Sequence, residues 1–240
     1  MSRDNLYSTL LSQIGDFRFD EQVVRVFPDM IARSVPGYGS MLAVIGQLTE
    51  RFAQPGSSVW DLGCSLGAAT QQICERAPHS VTVHAVDQSA AMVDGITQNS
   101  RDWSFQCTLQ IHQQDLRLLT VSDASLVVLN LTLQFIPPAE RTAVISAIAA
   151  GMRSGGALLL SEKICFEQPA TQELMTGLHH DFKRANGYSD LEIARKRTAI
   201  ENMLVPESLQ THRQRLLDAG FGQVIPWFQC FNFCSILAIR

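Results

Sequence analysis

Residues 59–70 read VWDLGCSLGAAT, and the fold turns on this run. An apolar lead-in broken by Asp61 meets Gly63 and Gly67, four apart among small residues. A strand that runs into a glycine turn and then a helix presents free backbone N–H groups and little side-chain bulk, which suits a nucleotide-like ligand. A phosphate loop would place Lys and then Ser or Thr after its second glycine. Here Ala68 and Ala69 follow Gly67, which disfavours a nucleoside triphosphate. A dinucleotide turn would prefer G-x-G-x-x-G, whereas here Gly63, Ser65 and Gly67 follow Asp61.

Apolar runs of strand length continue from this turn at helix-sized intervals. SSVWDLGC (57–64), TVHAVDQS (82–89), TLQIHQQD (108–115), SLVVLNLTLQF (125–135) and GGALLLSEKI (155–164) are rich in β-branched and long aliphatic residues. That alternation predicts a parallel sheet covered on both faces. Between the last two, PPAERTAVISAIAAGMRSGG (137–156) opens on prolines, places Val144, Ile148 and Met152 on one helical face, and stops at paired glycines. Residues 207–240 read as a helix ended by Gly220 and two apolar strands too closely joined to be other than antiparallel. The expectation is an α/β, Rossmann-like fold with a mostly parallel seven-stranded sheet and an antiparallel last strand. Two segments lie outside that sheet. Residues 1–52 form a helical N-terminal extension, with RSVPGYGS (33–40) as a loop before the helix MLAVIGQLTERFA, and residues 165–205 form a helical insert suited to close over a ligand. All 240 residues are read as one domain.

The formal charge of −4 argues against a chain whose main work is gripping phosphate backbones. No direct nucleic-acid binding is expected. The N-terminus carries scattered charge where a secretory leader would be apolar, and no uncharged apolar run is long enough to span a bilayer, so the reading is cytoplasmic with no membrane. The six cysteines are spread through strand and helix patterns and read as reduced thiols. Cys230 and Cys234 read as buried strand residues. His179 and His180 are adjacent, diverge on a helix and are joined by no cluster of acids or cysteines, so no metal is assigned.

The D-x-G-x-S-x-G turn resembles the D-x-G-x-G-x-G turn of S-adenosylmethionine-dependent methyltransferases with its middle glycine replaced, and the hairpin ending is the arrangement of that superfamily, from about Val59 to Arg240. Asp87 ends the second strand, where a carboxylate can accept from both ribose hydroxyls. Asp115 follows the third strand and is placed to receive the adenine amino group, with Leu116 beside the ring. Each acid could instead cap a helix. Together they point to S-adenosylmethionine as the ligand. Asn130 fits the position of a base-methylating Asn, but the prolines and aromatic expected after it are missing, and no nucleophilic Cys stands there.

Over nearly the whole chain, FPDMIARSVPGY (27–38), DLGCSLGAAT, NLTLQF, LLLSEK, HHDFKRANGYS (179–189) and WFQCFNF (227–233) resemble the carboxy-S-adenosyl-L-methionine synthase family. The resemblance implies conversion of S-adenosylmethionine and prephenate to carboxy-S-adenosylmethionine and phenylpyruvate. A proton leaves the methyl group beside the positive sulfur, and the resulting ylide captures the carbon dioxide that prephenate sheds on becoming aromatic. It also implies a homodimer and a product used by a tRNA carboxymethyltransferase that modifies wobble uridine. Carried over residue by residue, Arg197 binds the new carboxylate and Tyr38 contacts the ligand from the N-terminal segment. Gly63, Cys64 and Ser65 line the amino-acid end, and Asn130 lies beneath the sulfonium. The sequence departs from the family at Gln88, where Asn is usual, so that contact has a longer reach. Successive helical residues diverge by about 100°, so Arg197 is expected inward and Arg195 or Lys196 outward. The sequence leaves open whether His179 or His180 lies near prephenate. The alternatives are a methyltransferase acting on a small molecule or tRNA, for which Arg197 would be unnecessary, and a non-catalytic ligand-binding subunit.

Overall fold

β1 (Ser58–Leu62) is buried along its whole length, as the central strand of a sheet sandwiched by helices must be. The structure, a computed structural model, describes residues 3–4, 6, 19–201 and 203–240. β1 pairs in parallel with β2 (Thr82–Asp87) on one side and β4 (Ala124–Asn130) on the other; β2 continues to β3 (Thr108–Gln113) and β4 to β5 (Met152–Cys165), all parallel. A two-residue strand, β6 (Glu207–Ser208), lies parallel to the end of β5 and adds an eighth strand to the seven expected. The hairpin is present as β7 (Gln223–Cys230) and β8 (Phe233–Ile239). β8 inserts between β5 and β7, antiparallel to both, and the order is β3-β2-β1-β4-β5-β8-β7.

The core lies on both faces. In β4, Leu126 and Val128 pack with Ile45 of α2 (Tyr38–Phe52) and Ile73 of α3 (Ala68–Cys74). Val127 and Leu129 turn the other way, toward Ile145 of α5 (Pro138–Ala150) and Leu216 of α8 (Leu209–Asp218). Burying each such side chain contributes about 1.5–3 kcal/mol. α1 (Glu21–Ser34) packs on α4 (Ala90–Asn99), and α6 (Pro169–Ala185) and α7 (Asp190–Glu201) form the insert.

Several boundaries differ from the sequence expectation. α5 ends at Ala150, so Val144 and Ile148 share its buried face but Met152 opens β5. Gly151 makes the break possible because a Cβ there would run into the Val121 carbonyl. Gly155 and Gly156 sit inside β5, where the register with β4 shifts. The fourth strand stops at Asn130. Leu131 takes a left-handed φ of 65°, and Leu133–Phe135 form a 3-10 turn whose Leu133 and Gln134 N–H groups donate to the buried Glu162 carboxylate at 2.9 and 2.8 Å. Tyr38 opens α2 instead of lying in a loop, since Gly37 makes the left-handed turn just before it. The first part of the expected helical extension, apart from residues 3, 4 and 6, lies outside the described residues.

No described helix is long and apolar enough to cross a membrane. The six cysteines are free thiols, Cys230 and Cys234 lying on the two strands of the hairpin. Among the described residues there is no group of three or more His, Cys, Asp or Glu able to hold a metal.

Candidate active site

The sheet order reverses between β1 and β4, and the crevice beyond the carboxyl ends of such strands is where open α/β sheets bind ligands. A cavity of about 1060 Å³ opens there, walled by α1, α2, the insert helices and the loop after β4. Tyr38, Gly63, Cys64, Ser65, Asp87, Gln88, Asp115, Leu116, Asn130 and Arg197 all line it, as do His179 and His180.

The glycine turn is built for close approach. Gly63 has φ 83°, and a Cβ on it would overlap the Thr132 side chain across the cavity floor. Ser65, standing where the superfamily pattern has glycine, adopts the left-handed conformation at φ 49°. Its N–H donates to Asp87 Oδ2 at 3.0 Å, while Asp87 Oδ1 accepts from Ser89 N–H at 2.9 Å. Asp87 therefore braces the two loops it joins and keeps carboxylate lone pairs for a ligand. Burial raises its pKa, against these backbone N–H groups. Asp115 caps the 3-10 turn at Leu116–Leu118 and is gripped by the Arg117 guanidinium, which, with the Arg117 N–H, holds its carboxyl below the usual range. The capping alternative thus holds for Asp115 even though it also faces the cavity.

Asn130 Oδ1 is buried and has no hydrogen-bond partner among the described residues. A buried acceptor left without a partner is costly, and this one sits on the cavity wall where a ligand would satisfy it. Asp61, fully buried beneath the turn, accepts from Thr70 Oγ1 at 2.5 Å, and burial lifts its pKa to about 6. Burial and the Asp61 charge raise the Tyr38 phenol, and burial with Asp61 and Asp87 raises the Cys64 thiol, so both stay neutral. These features fit S-adenosylmethionine: an unpartnered acceptor, carboxylates at three strand ends, and a turn without side-chain bulk.

The opposite wall is cationic. Lys163 near the end of β5, Lys183 of α6, and Lys196 and Arg197 of α7 line it. Arg197 is exposed at the rim, whereas Lys196, expected outward, is 7% exposed. Lys196 is drawn in because its ammonium reaches Asp4 Oδ2 at 3.4 Å and Ser34 Oγ at 2.9 Å, with the Tyr188 hydroxyl also donating to Asp4. His179 donates from Nε2 to the Ser34 carbonyl at 2.8 Å, and burial and the nearby Lys183 charge lower it to about 3, leaving it neutral. The sequence reading passed over Asp61, Lys163 and Lys183 as cavity residues. Helical spacing puts Lys183 on one face of α6 with Thr176 and His180, but nothing in the sequence marks that face as the inner one.

The chain matches a methyltransferase domain model over residues 59–156. Among solved structures it is similar to magnesium protoporphyrin IX methyltransferase from Synechocystis PCC 6803 with bound SAH, with a TM-score of 0.60 and 19% identity over 88% of this chain and 87% of that one. It is also similar to human N-acetylserotonin methyltransferase in complex with SAM, with a TM-score of 0.60 and 15% identity over 92% of this chain and 55% of that one. At such identities the likeness is one of fold. It is far closer to the carboxy-S-adenosyl-L-methionine synthase of Trichlorobacter lovleyi, 53% identical over 99% of this chain and 98% of that protein. The synthase of Photobacterium profundum is 48% identical over 99% and 98%. With half its residues shared along its whole length, this chain belongs to the carboxy-S-adenosyl-L-methionine synthase family.

Proposed function

We propose that this chain converts S-adenosylmethionine and prephenate into carboxy-S-adenosylmethionine and phenylpyruvate, acting as a single domain over residues 1–240. The observation that carries the proposal is the polarity of one cavity. Acids and an unpartnered acceptor stand at the strand ends, cations stand on the insert side, and the volume of about 1060 Å³ stands at the upper end of the roughly 300–1,000 Å³ range of ligand pockets. A methyltransferase with a neutral acceptor has no use for a cationic wall. A reaction that brings in a dicarboxylate and leaves a new carboxylate beside the sulfur does.

S-adenosylmethionine is consumed as a substrate. Asp87 would hold its ribose hydroxyls, Asp115 and Leu116 its adenine, and Gly63, Cys64 and Ser65 its amino-acid end, with Tyr38 and Gln88 completing the enclosure. Asn130 would turn its free oxygen toward the sulfonium. Prephenate loses carbon dioxide and its ring hydroxyl, the methyl proton leaves with that hydroxyl as water, and the methyl carbon takes the carbon dioxide. Atoms balance without an outside oxidant or a protein nucleophile. The residues hold the reactants together and exclude water, and that proximity takes the place of a reactive side chain. Arg197 would then fork onto the new carboxylate. We further infer a cytoplasmic homodimer that hands its product to a tRNA carboxymethyltransferase and does not itself bind nucleic acid.

The test is incubation of the purified chain with both substrates and mass spectrometry of the nucleoside product. Carboxylated S-adenosylmethionine and phenylpyruvate are expected in equal amounts; unchanged substrates would overturn the reading.

A further inference from the structure

The cations on the insert wall are not equivalent. Lys196 is matched by Asp4. Lys183 has no hydrogen-bond acceptor and no carboxylate against its ammonium among the described residues, and the charged groups that act on it are all cations: Lys196 and Arg197 from α7 and Lys163 from β5. On its own helix the titratable neighbours are His179 and His180, both of which lose basicity partly to its charge. Gln172, Thr176, His179, His180 and Lys183 all line the cavity, and their spacing confines them to an arc of about 100° on α6. The helix thus holds Lys183 toward the ligand space. Burial and these neighbours push it down to about 7, so without a bound anion Lys183 gives up its proton near neutral pH.

We propose that Lys183 is the specificity-determining residue for the second substrate, receiving one carboxylate of the dicarboxylate while Arg197 remains for the carboxylate formed in the reaction. This rests on the reading above that the site takes such a substrate. A carboxylate beside an ammonium favours its charged form. Above a pH of about 7, where the empty site holds Lys183 largely neutral, binding draws a proton in. Affinity therefore falls as pH rises from there until the pKa of the liganded state is passed, and is level below it.

Calorimetry tests this on the full chain saturated with S-adenosylhomocysteine, which has no methyl group to carboxylate, so that prephenate binds without reacting. At pH 8, titrations in buffers of different ionisation enthalpy should show uptake of about one proton per prephenate. Lys183→Met should abolish the uptake and weaken prephenate by roughly ten- to a hundredfold, with S-adenosylhomocysteine affinity unchanged as the check on folding. Lys183→Arg, charged at every working pH, should restore much of the affinity with no linked uptake. Equal uptake and affinity in wild type and Lys183→Met would overturn the proposal, as would wild-type binding without uptake. If wild type makes carboxylated product while Lys183→Met keeps its KM for prephenate, this inference fails and the reaction stands; if wild type neither binds prephenate nor forms product, the reaction itself fails.

Discussion

Asn130 and Arg197 show how differently single residues can be committed to one site. Asn130 is structurally unrewarded: its buried Oδ1 has no partner among the described residues, so Asn130→Leu should leave thermal stability unchanged or raised, because removing an unsatisfied buried polar group relieves its desolvation penalty of about 1–3 kcal/mol. The same substitution should lower kcat/KM by at least about tenfold, one lost hydrogen bond to the reacting region. Parallel melting curves and steady-state rates would check both, and a variant both unstable and inactive would mean the residue serves the fold. Arg197 is exposed at the rim and contributes little to the core. Arg197→Ala should weaken retention of the carboxylated product by roughly ten- to a hundredfold while sparing S-adenosylmethionine, as read by competition binding of the two. Equal loss for both ligands would assign it a different role. Asn130 was legible as a strand-end residue, whereas Arg197 was marked only by the family resemblance. Lys183 was not, since its importance lies in which charges surround it.

At the scale of elements, the cavity is closed by buried charge rather than by a large apolar lid. Asp4, Tyr188 and Lys196 are 2%, 6% and 7% exposed and join the N-terminal segment to both parts of the insert. Arg33 stacks over Tyr188 at 3.9 Å and donates to Asn186 O at 2.7 Å. Breaking a buried pair leaves an uncompensated charge worth about 3–5 kcal/mol. Asp4→Ala should therefore loosen α7, raising amide exchange there and the KM for prephenate while leaving exchange in β4 unchanged. A second pin is Arg141, fully buried in α5, which donates to Glu207 at 2.6 Å and to the carbonyls of Gln134, Ile136 and Val205. It ties the far end of the insert to the loop after β4. Arg141→Met should lower the melting temperature by on the order of 6–20 °C, and a shift of a degree or two would show the network to be dispensable. The sequence showed both inserts as elements but gave no sign of these ties, because ion pairs far apart in sequence leave no periodicity.

Across the whole molecule, charge is sorted: acids under the glycine turn, cations under the insert, and histidines held neutral between and behind them. Burial lowers His84 and His212 to about 4 and His179 to about 3. Below about pH 6.5 the unfolded chain takes up protons at these rings that the folded chain refuses, so their contribution to stability is full above 6.5 and shrinks as pH falls toward those values. Asp61, raised to about 6, Glu162, raised to about 8, and Asp87, also raised, act in the opposite sense over that range, since their folded forms gain a proton first. His180 is lowered with the other three rings, and the four histidines outnumber the three carboxyls. The urea midpoint should fall between pH 6.5 and 5, and His179→Gln, whose amide can still donate to Ser34 O, should fall less steeply. Parallel slopes would show that His179 already carries a proton in the fold.

The sequence by itself determined the sheet, its parallel pairing, the closing hairpin and the strand-end residues that meet at one crevice. All of these follow from local rules: apolar periodicity, glycine where backbone must come close, and too few residues between β7 and β8 for anything but a reversal. Only the tertiary structure decided where α5 ends, that Leu131 reverses the chain after Asn130, that Lys196 turns inward to Asp4, and that Lys183 stands among cations with no anion of its own among the described residues. The reason is that these depend on a carbonyl, a carboxylate or a charge delivered from a distant part of the chain, and nothing in the neighbouring residues records what folding brings beside them.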